Sequence, residues 1–350
     1  MSSAFPSDNE YRRRFNESLD GEGDIVIVGV SFERSRILSE LDTELYEQAL
    51  IDFIEQEYDE LKQTVFDRYP ACIAYNFRLS ERGEGSADPV RKLLHLKDTW
   101  EAVVYVLYAL IMGEIRHKAI DLRATQVFVS LDTGGNPIYA NFNTGRILSD
   151  AIKQKAQNIK SLIQYSKANA LGFKFEEMDE SLLDDLLALQ DIRNDISHHA
   201  APTREQAEVE LAQVNPLFQR MLTKTRFLEN CRIMRFENFG SDCRCEVFAG
   251  YGLIRDYENL DIDVPLRNYV LGLGQDQLFV LWDSECFSIS PFLHYHRDTS
   301  GHESYLSFFK RRRESKYWYE PVKTRDDIAF DQLQARFEAE ADEVINLIKP

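Results

Sequence analysis

The sequence holds few cysteines, and none in an arrangement that would staple a fold or complete a metal site. Five (Cys72, Cys231, Cys243, Cys245 and Cys286) are spread over 350 residues. An odd number without a framework spacing excludes a disulfide scaffold. Cys243 and Cys245 are half of a metal site with no second pair at a matching distance, so ordinary reduced thiols of a cytoplasmic protein are expected. A secretory leader is also missing from the expectation, because MSSAFPSDNEYRRRFNES has no apolar core. The longest apolar run, 102–112, falls short of the ~20 residues a bilayer span requires and is expected as a buried helix. Basic residues are scarce too: 41 Lys and Arg face 59 Asp and Glu, a formal charge of −18. A body this acidic repels phosphates at long range. Signatures of common chemistries do not occur. GLGQD at 272–276 has too few glycines for a phosphate loop, and there is no Gly-x-Ser-x-Gly, HExxH or CxxC pair.

What is present belongs to a folded protein. Apolar residues make up 44% and aromatics 12%, enough buried area to offset the entropy of ordering. DIVIVGV (24–30) reads as a short buried strand, and 42–67 as an acidic amphipathic helix. Residues 78–89 read as a polar loop and 91–120 as a helix apolar nearly all round. Two alternating runs flank Asp-Thr-Gly-Gly-Asn-Pro within 125–143, a hairpin signal. Further helices are expected over about 145–167, from Asp179 or Ser181 to the His198–His199 pair, and from Pro202 to about Leu228. Short alternating segments then fill 231–323, and one amphipathic helix closes the chain. The expected class is α+β: an all-α bundle followed by a mostly β domain with a terminal helix. The expected divisions are 1–66, 67–230 and 231–350.

The residues that could carry chemistry end the helix that follows Asp179: Arg193, Asn194, Asp195, Ile196, Ser197 and His198. Asn194 and His198 are i and i+4, as are Arg193 and Ser197, so each pair stacks on one face. Both faces are offset from the apolar stripe Leu182, Leu186, Leu189, Ile192, Ile196. A histidine there can move a proton near neutral pH. An arginine can stabilise charge on phosphoryl oxygens. The plainer alternative is a cluster of cations satisfying the last carbonyls of a helix. The surroundings are acidic: 176–195 holds eight Asp and Glu and one Arg. Those carboxylates could form a solvated face or pair with basic residues of another chain.

RNDISH, at the end of an amphipathic helix within a run of helices, resembles the signature of the HEPN superfamily, an Arg followed four to six residues later by a His, often with a polar residue after the Arg. YPACIAYNFRL and the stretch DPVRKLLHLKDTWEAVVYVLYALIMGEI resemble the first helix of bacterial HEPN proteins of toxin and phage-defence systems. The similarity covers about 67–230. It implies a helical domain that dimerises into a composite ribonuclease site without cofactor or metal. On that resemblance His198 is the acid/base, Arg193 the phosphate stabiliser and Asn194 the orienting residue, and the RNA 2′-hydroxyl is the nucleophile. An antitoxin or another defence protein is an implied partner. The β-rich region more loosely resembles a module found beside such domains, in which the stretch after SPFL often carries paired cysteines. Here that stretch is HYHRDTSGHES. His294, His296 and His302 are there and no cysteine is, which speaks against a zinc knuckle; three histidines could hold a metal, and surface histidines are the plainer expectation.

A second candidate surface is basic. Residues 301–323 carry six Lys and Arg against three Glu. Lys310, Arg311, Arg312, Arg313 and Lys316 interleave with Tyr305, Phe308, Phe309, Tyr317, Trp318 and Tyr319. Such a segment suits RNA, by phosphate contact and base stacking, or a hairpin whose aromatics pack a core. A different class of function also fits the whole chain: a non-catalytic helical module that dimerises or docks a partner protein.

Overall fold

The computed structural model describes residues 9–21, 23–122, 126–131, 134, 136–141, 147–149, 151–198, 202–239, 243–252, 256–261, 263–273, 277–297, 304–313, 316–322, 328–329 and 334–346. The chain is α+β and divides into two compact units, Met1–Gln63 and Thr64–Pro350.

The first unit holds α1 (Glu10–Asp20), strands β1 (Ile25–Ile27) and β2 (Val30–Phe32), α2 (Arg34–Leu41) and most of α3 (Thr43–Arg68). Phe15, Tyr46 and Leu50 form its core, backed by Leu38 and Phe53. The Tyr46 hydroxyl donates to buried Asn16 Oδ1 at 2.8 Å. Arg12 clamps Glu47 with two bonds of 2.7 and 2.8 Å. The expectation of one buried strand at 24–30 is corrected here. The run folds back on itself, pairing Ile27 with Val30 and Ile25 with Phe32. The turn between them is Val28-Gly29, with φ of 54° and 81°. Two left-handed central residues are what a two-residue hairpin of native twist requires. Glycine takes that conformation freely, whereas a β-branched valine pays roughly 1–2 kcal/mol.

In the second unit α4 (Ala71–Glu81) extends into the stretch expected as loop, and α5 (Pro89–His117) is the central element. Asp88 caps α5, its carboxylate accepting from Val90 N at 3.0 Å, and Pro89 occupies the first turn. The hairpin β3 (Gln126–Leu131) with β4 (Pro137–Asn141) is antiparallel. Helices α6 (Ile152–Asn169), α7 (Glu180–His198) and α8 (Arg204–Lys224) follow. Thr203 and Gln206 cap α8 reciprocally.

The β region forms two antiparallel sheets. One has the order β7 (Asp256–Leu260), β6 (Cys243–Val247), β5 (Cys231–Phe239), β8 (Leu278–Trp282), β9 (Glu285–Ser288). The other runs β10 (Leu293–Arg297), β11 (Ser304–Arg313), β12 (Lys316–Pro321), β13 (Ile328–Ala329). The short α9 (Val264–Gly272) covers the first sheet, where Val270 is buried against Met234 and Phe279. The terminal segment expected as a single helix instead places Ile328–Ala329 on the sheet edge, and α10 spans Gln334–Asn346.

Segments 67–230 and 231–350 share one unit and one core. Tyr105 of α5 stacks on Phe308 of β11 at 4.8 Å, and Tyr108 meets Phe292 edge-on at 5.4 Å. Ala71 N donates to Phe248 O, and Gly250 N to Tyr69 O, tying the start of α4 to the end of the β5–β6 hairpin. This explains the apolar circumference of α5: helices cover some of its faces and sheets the rest.

Two α5 histidines are expected to make stability fall on the acid side. Burial holds His95 and His117 below the usual 6.5, against the pull of Asp98 and Glu285 respectively. As pH falls, the unfolded chain therefore takes up protons before the native state does, and stability is lost on the acid side. The thermal midpoint is expected to fall between about pH 7 and 5, and His95→Asn with His117→Asn to flatten that slope. An unchanged slope in the double variant would show that other groups set it.

Candidate functional site

The helix carrying Arg193, Asn194 and His198 is fixed along most of its length. Asp179 starts it, accepting from Ser181 N at 2.8 Å and Ser181 Oγ at 2.7 Å. Those two bonds hold its carboxyl below the usual range. Leu182, Leu183, Leu186 and Leu189 are buried and Ile192 is half-buried. Trp100 of α5 donates its indole N–H to Leu186 O at 3.2 Å. The helical backbone continues to His198, so Arg193 and Ser197, and Asn194 and His198, keep their i, i+4 spacing. The side chains of Arg193, Asn194, Ile196 and His198, and all of His199, lie outside the described residues. Beside the last described turns a small apolar cleft opens between α5, α7 and α8, lined by Leu93, Leu96, Lys97, Ile192 and Val214.

Three carboxylates at the start of this helix have cationic partners on neighbouring helices. Asp185, 6% exposed, accepts from Arg220 at 2.9 Å and from Lys224 at 2.6 Å, both on α8. Asp184 pairs with Lys160 at 2.8 Å, and Glu180 with Lys167 at 3.1 Å, both on α6. Asp184 is exposed, as a solvated face would have it, and pairs with Lys160, whereas Asp185 is buried and held by α8. Neighbouring helices supply the countercharges of the first turns of α7, and the side chains of Asp191 and Asp195 lie outside the described residues.

The basic segment is a β-hairpin, and its aromatics are divided between its faces. Phe308, Phe309, Tyr317 and Tyr319 are at most 1% exposed and pack the core. They are not available for base stacking. Trp318 is half-buried beneath the Arg311 guanidinium at 5.7 Å, and Arg312 lies over Tyr317 at 5.4 Å. Lys310 pairs with Glu320 at 2.9 Å. Arg312 and Lys316 are exposed, and the side chains of Arg313 and Tyr305 lie outside the described residues. α7 and this hairpin are separate elements of the second unit.

His294 is corrected from surface to interior: it is 2% exposed, with its ring 5.6 Å from that of Tyr319. His296 is half-buried, and His302 lies outside the described residues. Among the described residues no three His, Cys, Asp or Glu side chains converge as a metal site. All five cysteines are buried and free, and burial raises their thiols where a shift is resolved, to about 12 for Cys72 and Cys286.

Some buried charges were missed in sequence. Lys155 of α6 is fully buried, bonding Ser149 O, with its ammonium 5.1 Å from the Tyr108 ring and 5.7 Å from Tyr105 and Phe309. Glu114 is also fully buried and accepts from Lys118 Nζ and Lys174 N, each at 2.7 Å. Desolvation nonetheless raises its carboxyl above the usual range. A signal existed: Lys155 shares its face with Ile159, Leu162 and Ser166, and Glu114 sits inside the apolar span of α5.

Comparison of the chain with protein-family models, with curated proteins and with solved structures finds no match. Among the described residues no helix is long and apolar enough to cross a membrane.

Proposed function

We propose that this chain is a metal-independent endoribonuclease of HEPN type, cytoplasmic and homodimeric, acting in a bacterial toxin or anti-phage setting. The observation that carries the reading is α7 itself. It is capped at Asp179, pinned by Trp100 and Asp185, and helical through Arg193 and His198. In the reaction His198 takes the proton from a 2′-hydroxyl, whose oxygen bonds to phosphorus as the bond to the 5′-oxygen breaks, and the imidazolium returns that proton to the departing 5′-oxygen. Arg193 stabilises the charge on the phosphoryl oxygens and Asn194 orients the imidazole. Lys310, Arg311, Arg312, Arg313 and Lys316 supply backbone contact away from the chemistry.

Purified protein is expected to cleave RNA in the presence of a chelator. His198→Ala is expected to lower the rate at least ~100-fold, the usual worth of a general acid or base, with the oligomer intact. Cleavage that survives the substitution, or that needs added metal, overturns the reading.

A second reading rests on the charge of −18, which suits a basic protein better than RNA. In it the helices form a non-catalytic docking module for another defence or signalling protein, such as an antitoxin. Growth separates the two: expression slows the host if the chain is a nuclease and Arg193→Ala relieves it, whereas a docking module leaves both cultures equal.

A further inference from the structure

The corner where α3 meets α4 carries two exposed arginines, each over an aromatic ring. Arg78 lies in the last turn of α4 and Arg82 follows its end, so at i and i+4 they share one side of the helix. The Arg78 guanidinium carbon is 3.8 Å from the centre of the Tyr251 ring, and that of Arg82 is 4.6 Å from the Phe66 ring. Phe66 joins the two: its ring carries Arg82, and its carbonyl accepts from Tyr251 N at 2.8 Å. The loop that presents Tyr251 is fixed. Ala249 bridges to Pro70, and Gly250 N donates to Tyr69 O at 2.8 Å. Position 250 requires glycine: φ is 73°, and a Cβ would stand 3.0 Å from Asp67 O and 3.1 Å from Phe66 O. Tyr251 itself is 37% exposed. Other surface arginines of this acidic chain hold carboxylates, as Arg36, Arg91, Arg204 and Arg232 do. Arg78 pairs with none among the described residues, and Glu81 near it is taken by Lys92 at 2.8 Å. The end of a helix favours cations, but that calls neither for two like charges four apart nor for an exposed ring beneath Arg78.

We infer that Arg78, Arg82 and Tyr251 form a binding site for single-stranded RNA, distinct from the reacting residues of α7. The chemistry selects the ligand. An exposed guanidinium that no carboxylate holds takes an oxyanion, and its fork matches phosphate. A guanidinium plane on a tyrosine also offers a stack to a base, as arginine planes and aromatic rings do in single-strand recognition. A duplex keeps its base faces stacked on one another, so the strand is single. An acidic peptide would use the fork and leave the stack unused. That the polymer is RNA rests on the ribonuclease reading; that it is a phosphate-linked strand of bases does not. The overall charge fits such a site. At −18 the chain does not draw RNA from afar, so capture needs a local cation that is not already neutralised. The rings hold both guanidinium groups in place before contact, so little side-chain freedom is lost on binding.

Fluorescence anisotropy of a labelled single-stranded oligoribonucleotide tests the site, with full-length His198→Ala as the parent and a chelator present so that no strand is cut. The parent is expected to bind, and to bind less tightly as salt rises. Arg78→Gln is expected to weaken binding about 10-fold and to lower the slope of log Kd against log salt by about 0.7, the release from one phosphate of a single strand. Arg78→Lys is expected to keep the slope and still lose affinity, because the charge stays and the plane goes. Tyr251→Ala is expected to weaken binding about 5-fold or more. Both positions are exposed, so circular dichroism is expected to be unchanged. No binding by the parent overturns the site, as does an Arg78→Gln variant with unchanged Kd and slope. Displacement of the strand by inorganic phosphate at an equal concentration of phosphate groups overturns the stacking, and tighter binding of a DNA strand of the same sequence overturns RNA as the ligand. The two readings fail separately. His198-dependent cleavage by the wild type with binding indifferent to Arg78 keeps the ribonuclease and overturns this site; Arg78-dependent binding by a wild type that cleaves nothing does the reverse.

Discussion

Replacing Glu246 by alanine is expected to lower stability by about 3–5 kcal/mol, the range for breaking a fully buried ion pair by removing one partner. Glu246 and Arg235 face each other across β5 and β6, both with no exposed side-chain surface. The guanidinium donates from Nε at 2.9 Å and from Nη2 at 2.6 Å to the same carboxylate oxygen. Its carbon lies 4.6 Å from the centre of the Tyr295 ring, which joins the first sheet to β10. Truncation would leave a buried cation without its carboxylate, in a place water does not reach. For a unit of this size the loss corresponds to a drop in thermal midpoint of roughly 5–8 °C. The double variant Arg235→Met with Glu246→Leu removes both charges and is expected to be much less destabilised than Glu246→Ala alone. A single variant that melts within about 2 °C of the wild type would show that the pair carries little.

What could be read from the sequence was what local chemistry decides. The Asp179 cap and the Leu182, Leu186, Leu189 stripe placed α7, because cap and period act within one helix. Asp-Thr-Gly-Gly-Asn-Pro placed the β3–β4 hairpin for the same reason. The run Ile25–Val30 misled because an unbroken apolar stretch is the pattern of a strand covered on both faces. One valine in a left-handed conformation turns it into an uncovered ribbon, and valine gives no local warning of that. The candidate site was legible as a spacing, Arg193 to His198, and not as an environment. The partners that neutralise Asp184 and Asp185 come from α6 and α8, and no local pattern couples Lys160, Arg220 and Lys224 to α7. The same limit hid the shared core. The pattern showed that α5 is apolar all round but could not show Phe308 on Tyr105.

Gly113→Val is expected to disrupt α5 against β9. A glycine inside a helix ordinarily gives up about 1 kcal/mol relative to alanine, so its position calls for a packing reason. A Cβ at Gly113 would stand 2.6 Å from Ser288 O and 3.1 Å from the Phe287 ring. The first of these is backbone of β9 and cannot rotate away. Nor can the helix slide to make room. Three residues on, Arg116 donates to Ser290 O at 2.6 Å and to Ser288 O at 3.2 Å. The neighbouring Glu114 accepts from Lys174 N and Phe175 N on the other side. Even Gly113→Ala is expected to lose about 1–3 kcal/mol, the range for overpacking, despite alanine's better helix propensity. Gly113→Val adds two methyl groups and a β-branch and is expected to lose more. The strain falls first on β9, whose Ser288 carbonyl also accepts from Arg116. Hydrogen exchange should therefore report faster opening of β9 around Phe287 and Ser288 in Gly113→Ala than in the wild type. An unchanged melting curve together with unchanged exchange would mean that β9 yields to α5.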